Sequence, residues 1–228
     1  MTTQAPSGTT VDDIVAQLRQ LVSGLPPQDG VAVFADAYLT VTEAIRDHLA
    51  EGGFFRAPGE VTRLDVLFAD RFLTALDAPR PPACWRPLLE LRLHPGIMPI
   101  QFALSGMNAH IEHDLPMAVV DACEALGCVP DELSVDFHRV NDVLAQVEEQ
   151  VRDTLMPATE DIRAAEPLVH LMSSWSIDRA RDAAWASAVG LWELRDRPTP
   201  YAAATDALAD ATGLVSRCLL TPLDRLRG

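Results

Sequence analysis

Not one lysine occurs in the 228 residues: all 18 basic side chains are arginine, set against 33 aspartates and glutamates. Schiff-base catalysis, which needs a lysine amine, is excluded outright. With alanine and arginine abundant, the absence reads as the codon bias of a GC-rich genome. A basic surface is missing too. The formal charge of −15 argues against a nucleic-acid partner, because phosphate binding needs clustered positive charge. No apolar run approaches the ~18 residues of a spanning helix, and the polar opening MTTQAPSGTT does not resemble a secretory signal. A soluble, cytoplasmic protein with no membrane partner is the expectation. Cysteine is scarce: Cys84, Cys123, Cys128 and Cys218. Cys123 and Cys128 are spaced too loosely for a zinc knuckle and no second pair completes one, so buried free thiols are expected. Strand patterning, internal repeats and long linkers are absent as well.

What is present is helical periodicity. Thr10 is a good N-cap for VDDIVAQLRQLVSGL, which places Val11, Ile14 and Leu18 on one face. VAVFADAYLTVTEAIRDHLAEGG follows and is ended by Gly52 and Gly53. EVTRLDVLFADRFLTALDA, a short WRPLLELRL, an amphipathic helix after Pro130, EPLVHLMSSWSIDRARDAAWASAVGLWELRD and TPYAAATDALADATGLVSRCLL complete the series. From Met98 to Leu126 the chain is apolar nearly all round, and Pro116 predicts a kink or restart there. The pattern predicts an all-α fold: a single-domain bundle of about eight helices over residues 11–228, with a buried central helix and a disordered tail at 1–10.

Inside that apolar region lies GMNAHIEHDLP, an amide, two imidazoles and two carboxylates between Gly106 and Pro116. Helix geometry sorts them. Gln101, Ser105, Asn108 and Glu112 form one row, and Gly106, His110, His113 and Met117 the next. His110 also faces Asp114 at i+4. Gly106 would allow close approach of a backbone or ligand, and Glu112 and His113 are expected to be solvated. In the helix after Pro130, whose core face holds Leu133, Val140 and Leu144, Asp136 points inward and Asn141 lies at the edge. His138 and Asp142 point outward as an i,i+4 pair. The SIDRARDAAWASAVGLW helix centres on Trp185, with Leu171, Val189 and Trp192 alongside. Arg181 shares that face and is expected to pair with Asp178, since an unpaired buried charge is costly.

Three chemistries fit these residues. A divalent metal (Zn, Fe or Mn) on His110, Asp114 and Asp136 would serve a hydrolase or oxygenase, although HIEHD is neither the zinc-peptidase nor the di-iron pattern. Without a metal, His110 acts as general acid/base, Asp114 or Asp136 fixes its tautomer, and Asn108 and Asn141 hold hydrogen bonds. Ser105 precedes His110 but lacks a nucleophile elbow. The third alternative is structural: a buried His–Asp pair and an Asn that tie helices together.

Taken in order, Asn108-Ala109-His110-Ile111, Asp114-Leu115-Pro116, Asp136-Phe137 with Val140-Asn141, and Ala180-Arg181 with Ala184-Trp185 look like a set. Over residues 30–215 the chain resembles a bacterial family of helical proteins, frequent in actinobacteria, catalogued only as a domain of unknown function. The resemblance selects Asn108, His110, Asp114, Asp136, Asn141, Arg181 and Trp185, and leaves out His113, His138 and the cysteines. By analogy, small stand-alone proteins of GC-rich bacteria serve specialised metabolism as cyclases, hydrolases or isomerases. The expectation is a small-molecule enzyme whose central helix lines a pocket with the 131–156 and 170–195 helices. His110, Asp114 and Asp136 would be catalytic and Asn108, Asn141, Arg181 and Trp185 would bind substrate, with Trp175 and Trp192 as further apolar walls. No cofactor is required by the sequence, a divalent metal is allowed, and a homodimer is compatible. The rival is a non-catalytic ligand-binding or interaction protein with a polar-stapled core.

Overall fold

The computed structural model describes residues 8–155 and 176–222. Each helix boundary has a local cause. Helix α1 (Val11–Gly24) starts at Thr10, whose hydroxyl accepts from Asp13 N while the Asp13 carboxylate accepts from Thr10 N, a complete capping box. Helix α2 (Gly30–Glu51) starts at Asp29, which accepts from Val31 N and from the Arg92 guanidinium, and stops at Gly52 and Gly53, with φ of 72° and 79°. Proline opens α3 (Pro58–Asp77) and stands in the first turn of α4 (Arg86–Leu91).

Helix α5 (Pro99–Ala109) runs without a break into a π turn (His110–Asp114) and then α6 (Leu115–Leu126). The kink or restart expected at Pro116 takes the form of a restart: α6 begins at Leu115 with Pro116 in its first turn, and Leu115 is helical, at φ −63° and ψ −45°. The turn before it is widened. Leu115 N donates to the His110 carbonyl, one residue further back than an α-helix would reach. In a regular helix the Pro116 ring would strike the carbonyl four residues earlier. One extra residue in the preceding turn relieves that clash and keeps the rod continuous.

Helices α7 (Pro130–Leu155), α8 (Ile177–Leu194) and α9 (Pro198–Leu219) follow. Among the described residues the protein is all-α, with eight helical rods when α5, the π turn and α6 count as one. That rod is the centre, packed by α2, α3, α8 and α9. Two glycines set its spacing. A Cβ on Gly106 would stand 2.3 Å from the Phe34 ring, so a core aromatic fills the gap rather than a ligand. A Cβ on Gly213 would stand 2.5 Å from the Ala83 carbonyl, which fixes how closely α9 approaches the turn before α4.

The buried face of α8 is rotated from the expected one. Ala180, Arg181, Ala184, Ala188 and Leu191 are buried, Trp185 is partly buried and Val189 is exposed. Small side chains let α8 lie close on α6 and push the bulky tryptophans to the rim. Residues 1–7 of the expected tail, together with Leu171 and Trp175, lie outside the described residues. No helix among those described is long and apolar enough to cross a membrane. Cys84 and Cys123 are buried as expected, Cys128 is half-buried, and Cys218 is exposed because its side of α9 faces out.

Candidate functional site

The π turn gathers a polar cluster around Asp114, which is 2% exposed. Trp85 Nε1 donates to its Oδ2 at 3.0 Å, and His110 Nδ1 meets the same oxygen at 3.0 Å. His113 Nδ1 meets Oδ1 at 2.8 Å. Burial alone would raise the Asp114 pKa, but the bonds from His110 and His113 outweigh it and hold the group at about 2. An ionised carboxylate only accepts, so both Nδ1 atoms carry the protons. His110, depressed by burial against the opposing pull of Asp114, is neutral and presents a lone pair at Nε2. That atom is buried and has no partner.

Around His110 stand aromatic rings. Phe68 stacks on the imidazole at 3.6 Å and 7°, and Tyr38 meets it edge-on at 4.6 Å. Phe34, Phe72 and Trp85 complete the wall. Phe68 is the one ring of these five that is not fully buried. Two more polar atoms lie here unpaired, the Tyr38 hydroxyl and Asp65 Oδ2. Burial lifts Asp65 to about 7. Burial, then the charges of Asp65 and Asp114, push Tyr38 well up.

Of the residues expected to act together, His110 meets Asp114 and Arg181 meets Asn141, while Asn108 and Asp136 bond elsewhere. Asp136 is buried as foreseen, but its oxygens accept from Arg56 N at 2.9 Å and Ala57 N at 2.7 Å, capping the start of α3. It borders a cavity of about 20 Å³ between α3 and α7, room for roughly one water. Asn108 donates to the Thr212 carbonyl and Ser216 Oγ, both at 3.0 Å, and so staples α5 to α9. Gln101 does the same through the Leu219 and Thr221 carbonyls. Arg181 does not pair with Asp178. It donates to Asn141 Oδ1 at 2.6 Å and to the Phe137 carbonyl, and lies 4.3 Å over the Phe137 ring. The rotation of α8 turns Arg181 toward α7 and leaves Asp178 exposed, and burial lowers the Arg181 pKa to about 10. Trp185 packs on Phe137 at 4.6 Å. His138 points outward as expected but bonds the Ser134 carbonyl instead of Asp142.

His113 requires the plainest correction. Expected in solvent, it is 5% exposed and holds half of Asp114. Residues three apart are neighbours on a helix face, and the chain stays helical beyond His113 instead of ending there, so both imidazoles are buried and reach one carboxylate. Tyr38, Asp65, Trp85 and Cys84 were not singled out from the sequence. Asp65 carried a readable signal, since it falls between Val61 and Phe68/Phe72 on the apolar stripe of α3. Trp85 and Cys84 come from a turn before α4 whose position only the tertiary fold sets.

An all-α domain with a buried, carboxylate-bridged pair of histidines on a π turn is the class that fold and site define. The model described as "Family of unknown function (DUF5995)" matches residues 11–222, and the chain belongs to that family. No curated protein and no solved structure matches the chain.

Proposed function

We propose that the protein is a small-molecule enzyme in which His110 transfers a proton at Nε2. The carrying observation is that Nε2 is buried and unpartnered while Nδ1 is fixed on an ionised Asp114. A buried acceptor without a partner costs about 1–3 kcal/mol, and such an atom marks a place where a ligand's donor fits. Asp114 sets the tautomer and favours the imidazolium as it forms, which is the orienting role of a triad carboxylate. Tyr38 and the raised Asp65 supply an O–H donor and a second proton carrier beside it. The aromatic walls suit a flat, mainly apolar substrate with one acidic C–H or O–H. Phe68, the partly exposed ring stacked on His110, is the side chain that must swing aside to admit it.

The test is a thermal-shift screen of small organic acids, enols and phenols against wild type, His110→Gln and Tyr38→Phe. Ligands that raise the wild-type melting temperature are expected to lose that effect in His110→Gln, which keeps an amide donor but no base. Retention of every such ligand by His110→Gln overturns the proposal. A structural role has its own support in the Trp85–Asp114 bond, which ties the turn before α4 to the π turn. On that reading His110→Gln lowers the melting temperature and changes no ligand response.

A further inference from the structure

Cys84 is fully buried, plays no part in the proton-transfer proposal, and lies against the same cluster. Ligand atoms of Cys84, His113 and Asp114 all lie within 4.8 Å of one another. We infer that these three side chains form a binding site for a thiophilic divalent cation of the zinc type. The inference does not depend on His110 acting as a base.

Four observations carry it. The donor set is one sulfur, one imidazole nitrogen and one carboxylate oxygen, which suits zinc rather than magnesium or calcium. The carboxylate is already oriented from behind: Trp85 and His110 both occupy Oδ2, while Oδ1 faces His113 at 2.8 Å. Outer hydrogen bonds of this kind aim the first-shell ligands of a metal site. The charge also balances. Asp114 is a buried anion whose partners are an indole and two imidazoles, with no guanidinium within ion-pair distance among the described residues. A dication held by that carboxylate and a Cys84 thiolate makes a net-neutral centre where the anion now stands uncompensated. Finally, Cys84 and Trp85 are adjacent in the chain, so the turn before α4 delivers the sulfur ligand and the orienting donor together.

Binding replaces the Cys84 thiol proton, which goes to solvent, with a sulfur–metal bond. Asp114 Oδ1 donates a lone pair, and so does a His113 nitrogen, either Nε2 as it stands or Nδ1 once its proton has moved to Nε2; no electron is transferred. Three protein ligands leave a fourth tetrahedral position for water or a substrate atom, as open zinc centres do. Because binding releases the Cys84 thiol proton, uptake of the ion should strengthen with rising pH.

The experiment uses the full chain, purified under reducing conditions, stripped with a chelator and titrated with Co2+ alone. One equivalent is expected to bind and give a thiolate-to-cobalt charge-transfer band. The band should persist in Cys123→Ser, vanish in Cys84→Ser and need at least about tenfold more Co2+ in His113→Gln. Trp85→Phe removes only the outer bond to Oδ2 and should weaken binding by about 10–100-fold. Should Cys84→Ser fail to fold, X-ray absorption on zinc-loaded wild type decides, with one sulfur at about 2.3 Å beside nitrogen and oxygen at about 2.0–2.2 Å expected. A folded wild type without a thiolate band at millimolar Co2+, a band that survives Cys84→Ser, or a zinc shell without sulfur overturns the inference. Cobalt uptake and the ligand response at His110 are separate readouts, so either proposal fails without the other.

Discussion

Asp65 is where a single residue opposes the stability of the fold most directly. Its buried Oδ2 has no partner and burial holds its pKa at about 7 against an ordinary 3.8. With the folded-state value raised, the folded protein binds the proton more tightly. The contribution of Asp65 is therefore complete below pH 3.8 and is lost as pH rises through about 7. Asp65→Asn, neutral at every pH, is expected to gain on wild type between pH 4 and 7 and to level off above it. The final gap should be on the order of 2–4 kcal/mol by urea unfolding at pH 8. A gap that does not change with pH would mean that Asp65 is ionised and paired. Tyr38→Phe removes another unpartnered buried group and should stabilise by about 1 kcal/mol. If the proton-transfer proposal holds, that gain accompanies a loss of ligand response, the trade expected where a site keeps polar groups in an apolar wall.

Among the elements, the π turn controls the site. It accommodates Pro116 by adding one residue to the preceding turn, and it carries His110, His113 and Asp114 in one buried segment where Asp114 holds both imidazoles. The rod that carries it is positioned by the contact of Gly106 with Phe34. Gly106→Ala drives a methyl group into that ring and is expected to cost about 1–3 kcal/mol by chemical denaturation. Phe34→Leu should recover part of the loss, giving a favourable coupling in a double-mutant cycle. Helix α3 is held at its start from outside itself, because Ala57 supplies no side-chain bond and Asp136 from α7 accepts from the two amides just before the helix, Arg56 N and Ala57 N. Asp136→Ala should therefore cost about 1–2 kcal/mol, in the range of a lost N-cap, and leave any response at His110 intact. Loss of the His110 response without loss of stability would instead return Asp136 to the site.

For the whole molecule, a formal charge of −15 sits on a bundle whose central rod is tied to α9 by neutral bonds, those of Asn108 and Gln101. Self-repulsion of the surface charge then outweighs the loss of exposed pairs such as Arg217–Glu90 when salt is added. The melting temperature at pH 7 is expected to rise between about 20 and 200 mM sodium chloride, as read by circular dichroism. A falling melting temperature would show that surface ion pairs contribute more than net repulsion.

The sequence by itself determined the all-α class, the helix caps at Thr10 and Gly52, the buried central rod and the inward turn of His110, Asp114 and Asp136. These follow from periodicity and capping chemistry, which act within a few residues and leave their mark on the chain directly. Tertiary structure decided what each inward polar group meets. Asn108 and Asp136 point inward as their spacing requires, yet their partners lie 104 and 79 residues away, a distance over which periodicity carries no information. The same holds for Cys84 and Trp85, brought to Asp114 by a turn that Gly213 lets approach α9. His113 marks the boundary between the two: its spacing puts it in the row of His110, but its burial depends on the chain staying helical through a π turn and on past Pro116, where the sequence pattern suggested an end.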